Sequence, residues 1–144
     1  MRSQTAIFSE LVRDFMRDRP PTVLSGATCA EAIRQMSGDH ISSVLVTDSN
    51  GRLLGILTEQ DVTRRIAFQV PPETPVDQVM TRRVLTIPAG EYLYHAIGRM
   101  RRYNLRHLPV LDEHRAVIAI LNMYDALSAA SAQMVQESDL ITHE

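Results

Sequence analysis

Lysine and tryptophan are absent from this chain, and cysteine occurs once, at Cys29. Without lysine there is no amine for a Schiff base and no phosphate-loop motif, so pyridoxal-phosphate chemistry and Walker-type nucleotide hydrolysis are excluded. A lone thiol forbids an internal disulfide, and with five scattered histidines it offers no zinc-ligand spacing, so no metal site is expected. No run approaches the ~18 unbroken apolar residues of a membrane-spanning helix. The opening stretch MRSQTAIFSELVRDFM interleaves charges with apolar residues and lacks the continuous apolar segment of a secretory signal. A cytoplasmic location, with no membrane partner, is the expectation.

What remains is a chain of 144 residues with 44% apolar and 22% charged side chains, enough for one compact domain or two very small ones. All fifteen basic residues are arginine; with seventeen acidic residues interspersed among them the net charge is −2. That distribution predicts no nucleic-acid partner.

The chain matches itself, without a gap, when shifted by 64 residues. Met16 falls on Met80, Thr22 on Thr86, Gly26 on Gly90, Ala32 and Ile33 on Ala96 and Ile97, and Met36 on Met100. Val46, Asp48, Ile56, Leu57 and Asp61 likewise meet Val110, Asp112, Ile120, Leu121 and Asp125. Most of these identities are apolar or small, as expected of two copies of one packed unit.

Periodicity changes in the same order within each copy. Thr22 to Ser25 and Val84 to Ile87 are short β-prone runs. Ala30, Ile33 and Met36, and then Leu93, Ile97 and Met100, are spaced as one apolar helix face. A hairpin follows in each: Ser43–Thr47 with Leu53–Leu57, joined through Asn50-Gly51, and His107–Leu111 with Ala116–Leu121. The closing strands LLGIL and AVIAIL are almost wholly apolar, which predicts central positions in their sheets. A second helix begins after Thr58 and after Asn122. The expected fold is therefore α/β (α+β), with two βαββα repeats packed in pseudo-twofold symmetry. Pro71, Pro72 and Pro75 mark the joint. The expected division is 1–70, a first repeat with an N-terminal helix, and 71–144, a second repeat with a C-terminal helix. Units this small have marginal cores, so they are expected to pack together with a cleft between them.

Where the last strand of each repeat enters its last helix stand Thr58-Glu59-Gln60-Asp61 and Asn122-Met123-Tyr124-Asp125. A capping residue followed at the third position by a carboxylate is what a helix start needs. The same arrangement offers N–H groups to a phosphate and a carboxylate to the hydroxyls of a ribose. Both readings stand.

The doubled βαββα order, Gly55-Ile56-Leu57-Thr58-x-x-Asp61 and Arg106-His107-Leu108-Pro109-Val110-Leu111-Asp112 resemble cystathionine-β-synthase (CBS) domains over about residues 12 to 130. A tandem pair of that family, a Bateman module, binds adenine nucleotides or similar ligands in clefts between its repeats. The arrangement also resembles the pairs of bacterial nucleotidyltransferase-like signalling proteins. The resemblance places the ribose site at Thr58 and Asp61, and phosphate contacts at Arg106 and His107, just before Pro109. It lines the adenine pocket with Ile56 and with Val84, Leu85, Thr86 and Ile87. The related cleft would use Asn122, Asp125, Ser42, Ser43, Thr22 and Val23, with Tyr124 beside it. There serines replace Arg106 and His107, so weaker binding is expected.

The resemblance implies a regulatory, ligand-sensing module without catalytic residues. It would need no cofactor and would bind AMP, ADP, ATP or S-adenosylmethionine. It would also form a homodimer and serve a larger effector protein. The alternative is a dimerisation module with closed clefts, or a regulatory segment of a larger signalling protein. If His107 meets phosphate as an imidazolium, affinity is expected to weaken as pH rises past roughly 6.5 to 7.5. Arg64, Arg65, Arg82 and Arg83 read as solvated surface.

Overall fold

A computed structural model describes residues 9–36, 42–67 and 69–128. Seven strands are present: β1 (Arg17–Asp18), β2 (Thr22–Leu24), β3 (Ser43–Thr47), β4 (Leu53–Thr58), β5 (Ile87–Pro88), β6 (His107–Leu111) and β7 (Val117–Asn122). The helices are α1 (Cys29–Gln35), α2 (Glu59–Asp61, continuing as a π turn over Val62–Ile66), α3 (Leu93–Arg102) and α4, described over 123–128. Each repeat thus runs βαββα. The expected N-terminal helix falls largely on residues 1–8, and most of the expected C-terminal helix falls after residue 128; both stretches lie outside the described residues. No described helix is long and apolar enough to cross a membrane.

In the first repeat the sheet order is β2-β3-β4, with β2 parallel and β4 antiparallel to β3. In the second it is β1-β7-β6-β5, with β5 parallel and β7 antiparallel to β6. β7 is central, as its apolar sequence predicts. β4 ends its three-stranded order, and its outer edge is covered by Thr81, whose N–H and C=O both bond Ile56 at 2.9 Å. Its apolar character therefore comes from a covered edge, not from a central place.

The segment before each repeat packs on the other repeat. Val12 N donates to Glu91 O, and Leu93 N to Glu10 O. At the positions related by the 64-residue shift, Val76 N donates to Ala27 O and Cys29 N to Thr74 O. The two cores carry the same exchange. Val12 is buried with Ile87, Leu93, Ala96, Met100 and Leu108, while Val76 and Met80 are buried with Cys29, Ala32, Val44 and Leu57. Leu45, Ile56 and Ile120 form a third cluster with Leu53, Val84 and Val117 packed on it, drawn from both repeats.

Local chemistry explains the departures from expectation. In the first repeat Leu45 N bonds Pro21 O and extends the pairing of β2. The residue 64 positions on is Pro109, which has no N–H to give. Accordingly β5 begins at Ile87, and Val84 to Thr86 carry no strand pairing. In α1 the buried face is Cys29 and Ala32, with Met36 packed beneath, and Ile33 is exposed; the helix is rotated from the Ala30-Ile33-Met36 face. Thr28 caps it by accepting from Glu31 N at 3.1 Å. In the first hairpin only Gly51 takes a positive φ, +79°, and Arg115 takes the same conformation, +66°, in the second.

Candidate functional site

The apolar run of β4 ends at Thr58, where the chain turns into α2 through a complete capping box. The Thr58 hydroxyl accepts from Asp61 N at 3.4 Å, and Asp61 Oδ2 accepts from Thr58 N at 2.9 Å. The Thr58 hydroxyl also lies 3.1 Å from that carboxylate oxygen, and the Thr81 hydroxyl lies 3.3 Å from Oδ1. Such a cap contributes roughly 1 kcal/mol. It also fixes a nearly buried carboxylate, 8% exposed, with acceptor capacity beyond the bonds it already makes.

Asp61 lines a cleft of about 590 Å³ between the repeats. One wall is Ile56, Thr58, Glu59 and Asp61 from the first repeat; the other is Val84, Leu85, Arg106 and His107 from the second. Seven of the residues anticipated for one site therefore share one cavity. The other three do not line it. Ile87 is buried in the second core, Pro109 is buried within β6, and Thr86 lies between them and the cleft-lining Leu85 in sequence. A parallel strand points alternate side chains to opposite faces, which turns Ile87 inward.

Arg64, Arg65, Thr81 and Arg83 also line the cleft, so the arginines read as solvated surface belong partly to the site. Spacing could have signalled two of them. Arg64 and Arg65 follow Asp61 by three and four residues, one helical turn, and Arg65 Nη1 lies 3.8 Å from Asp61 Oδ1. Arg83 had no local signal, because its position depends on the crossing of residues 71–81 onto the first repeat. Four arginines thus face two carboxylates, Glu59 and Asp61.

His107 behaves differently from expectation. Burial, aided by the nearby Arg106 guanidinium, pushes its pKa down to about 4. At neutral pH the ring is uncharged, so the imidazolium expectation is corrected for the free protein: desolvation and like charge both oppose protonation.

The residues anticipated for the related cleft are dispersed. Ser42 lines the main cleft instead, where its carbonyl accepts from Glu59 N. Val23 packs on the first core, and the Thr22 hydroxyl donates to Pro20 O at 2.8 Å. Ser43 is fully buried, and its Oγ has no hydrogen-bond partner among the described residues. Asn122 Oδ1 accepts from Tyr124 N at 2.7 Å, a cap-like turn, and Tyr124 is 65% exposed. Asp125 is held by Arg17 through two bonds, at 2.6 and 3.0 Å. Among the described residues no group of three or more His, Cys, Asp or Glu is placed to hold a metal ion.

Comparison with known proteins agrees with this architecture. A CBS-domain protein of Arabidopsis thaliana, CBSCBSPB2, is 38% identical over 127 residues, covering 84% of this chain and 24% of that protein. This chain therefore spans about a quarter of that relative's length. The CBS domain pair of protein MJ0100, solved with 5′-methylthioadenosine and S-adenosyl-L-methionine, superposes with a TM-score of 0.76 at 28% identity, covering 85% of this chain and 97% of that one. A putative acetoin utilization protein (AcuB) of Vibrio cholerae superposes with a TM-score of 0.80 at 25% identity, covering 90% and 98%. The CBS domain profile matches residues 12–68 and again 70–132. The chain belongs to the CBS domain family, as a tandem pair.

Proposed function

We propose that this chain is a regulatory module that binds an adenosine nucleotide in the cleft between its repeats and catalyses no reaction. The observation that carries the reading is the pairing, across one cavity, of a ribose-competent carboxylate with cations from the opposite repeat. Asp61 stands on one wall and Arg106 on the other. Ile56, Val84 and Leu85 supply apolar surface for a base, and Thr58 and Asp61 suit ribose hydroxyls. Support also comes from the MJ0100 pair, whose ligands both contain adenosine. A ligand contacting both walls would bias how the repeats sit against one another, and a homodimer or an attached effector would carry that change onward. A soluble, cytoplasmic setting fits this role.

A second reading has one observation in its favour: the capping box accounts for Thr58 and Asp61 without any ligand. On that view the module serves only dimerisation. Calorimetric titration with AMP, ADP, ATP and S-adenosyl-L-methionine separates the two. Heat from at least one, lost in Asp61→Ala, supports the binding module; silence from all four favours the dimerisation module.

A further inference from the structure

Resting on the nucleotide-binding reading above, we propose that the cleft selects its ligand by phosphate charge, favouring a nucleoside triphosphate over a monophosphate and rejecting cationic S-adenosyl-L-methionine, with Arg64, Arg83 and Arg106 as the determinants.

The cleft holds more positive charge than its own carboxylates neutralise. Asp61 is engaged by Thr58 and Thr81 and approached by Arg65. Arg65 is in turn tied back, its Nη1 donating to Val79 O at 3.2 Å. The side chains of Arg64, Arg83 and Arg106 have no such tether among the described residues, yet all three line the same cavity. They come from three separate segments: the π turn after α2, the stretch after Thr81, and the residue before β6. Arginines lining one cavity from three segments suit a chain of phosphates better than a single one, because each can take its own pair of oxygens. The methionyl arm of S-adenosyl-L-methionine brings a sulfonium and an ammonium against one carboxylate, so it would add net positive charge to this wall. Adenosine recognition alone would not discriminate in this way. The MJ0100 pair accepts S-adenosyl-L-methionine, so the preference proposed here is a property of this chain's own arginines and not of the fold.

The test is calorimetric titration of the whole chain with AMP, ADP, ATP and S-adenosyl-L-methionine at low and moderate salt, with unchanged thermal unfolding of each variant confirming that it is folded. The expected order is ATP, then ADP, then AMP. ATP should bind at least about tenfold more tightly than AMP, S-adenosyl-L-methionine should be the weakest, and added salt should weaken ATP most. Arg64→Gln and Arg83→Gln should each lower ATP affinity by more than AMP affinity, compressing the ratio. If AMP or S-adenosyl-L-methionine binds as tightly as ATP, or the arginine variants leave the ratio unchanged, charge selection is overturned while the nucleotide site stands. If no adenosine ligand binds, the parent reading fails and this one falls with it.

Discussion

Arg17 grips Asp125 at two points, Nε to Oδ2 at 2.6 Å and Nη2 to Oδ1 at 3.0 Å. The residue 64 positions after Arg17 is Thr81, which touches Asp61 only through its hydroxyl, at 3.3 Å. The two copies of the repeat thus treat corresponding carboxylates in opposite ways. Asp61 is left able to accept from a ligand, and Asp125 is already matched by an internal cation in the geometry a carboxylate prefers. At this pair of positions the duplicated scaffold has diverged, so that its two corresponding carboxylates meet different partners.

That asymmetry predicts the behaviour of Arg17→Thr, which copies the other repeat. Both partners of the pair are partly exposed, so its loss should cost no more than about 1 kcal/mol of stability. The released Asp125 should add a second, weak binding event to an ATP titration of the variant. An isotherm identical to that of the unmodified chain would show that Arg17 is not what distinguishes the two carboxylates.

Asp61 is predicted to serve stability and binding together, and the two roles separate by substitution. Thr58→Ala removes the cap acceptor and should lower stability by about 1 kcal/mol. Asp61→Ala should cost a similar amount and also abolish nucleotide binding. Thermal unfolding and titration on the same samples make the comparison; an Asp61→Ala protein that binds normally removes the ribose assignment.

The histidine prediction follows from its sign. The folded-state pKa of His107 is lowered from 6.5 to about 4, so between these values the unfolded chain takes up more protons. Its contribution to stability is complete above pH ~6.5 and is lost as pH falls toward ~4. His107→Gln should therefore flatten the fall in melting temperature between pH 7 and pH 4. A phosphate beside the ring would raise its pKa, so ATP affinity should strengthen on acidification by more in the unmodified chain than in His107→Gln. Identical pH profiles for the two proteins would place the ring away from the phosphates.

Gly55 tests how the crossing segment is seated. A Cβ there would lie 2.5 Å from Met80 Sδ and 2.9 Å from both Met80 Cγ and Thr81 O. The methionine side chain can yield, but the Thr81 carbonyl is held by its bond to Ile56 N. Gly55→Val is expected to destabilise by about 1–3 kcal/mol and to weaken nucleotide binding by displacing Thr81 from Asp61. Unchanged stability would mean that the crossing segment is free to shift.

Duplication made most of this legible in the sequence, since a shift of 64 residues superimposes both the elements and the cores they bury. Local spacing located Thr58 and Asp61, because a cap and a carboxylate lie within one helical turn. Family likeness supplied Arg106 and His107. The remainder depended on contacts distant in sequence. Arg83 reaches the cleft because residues 71–81 cross to the other repeat, and Arg17 meets Asp125 across 108 positions. Neither has a short-range signature. The pKa of His107 was equally hidden, because burial is a property of the packed wall and not of the tripeptide around the ring.

The most direct examination of the central claim is a crystal structure of the chain grown with ATP. The account predicts one nucleotide per chain, its ribose hydroxyls on Asp61 and its phosphates among Arg64, Arg83 and Arg106, with the Arg17–Asp125 pair intact. A nucleotide seated against Asn122 and Asp125, or a ribose turned away from Asp61, would contradict it.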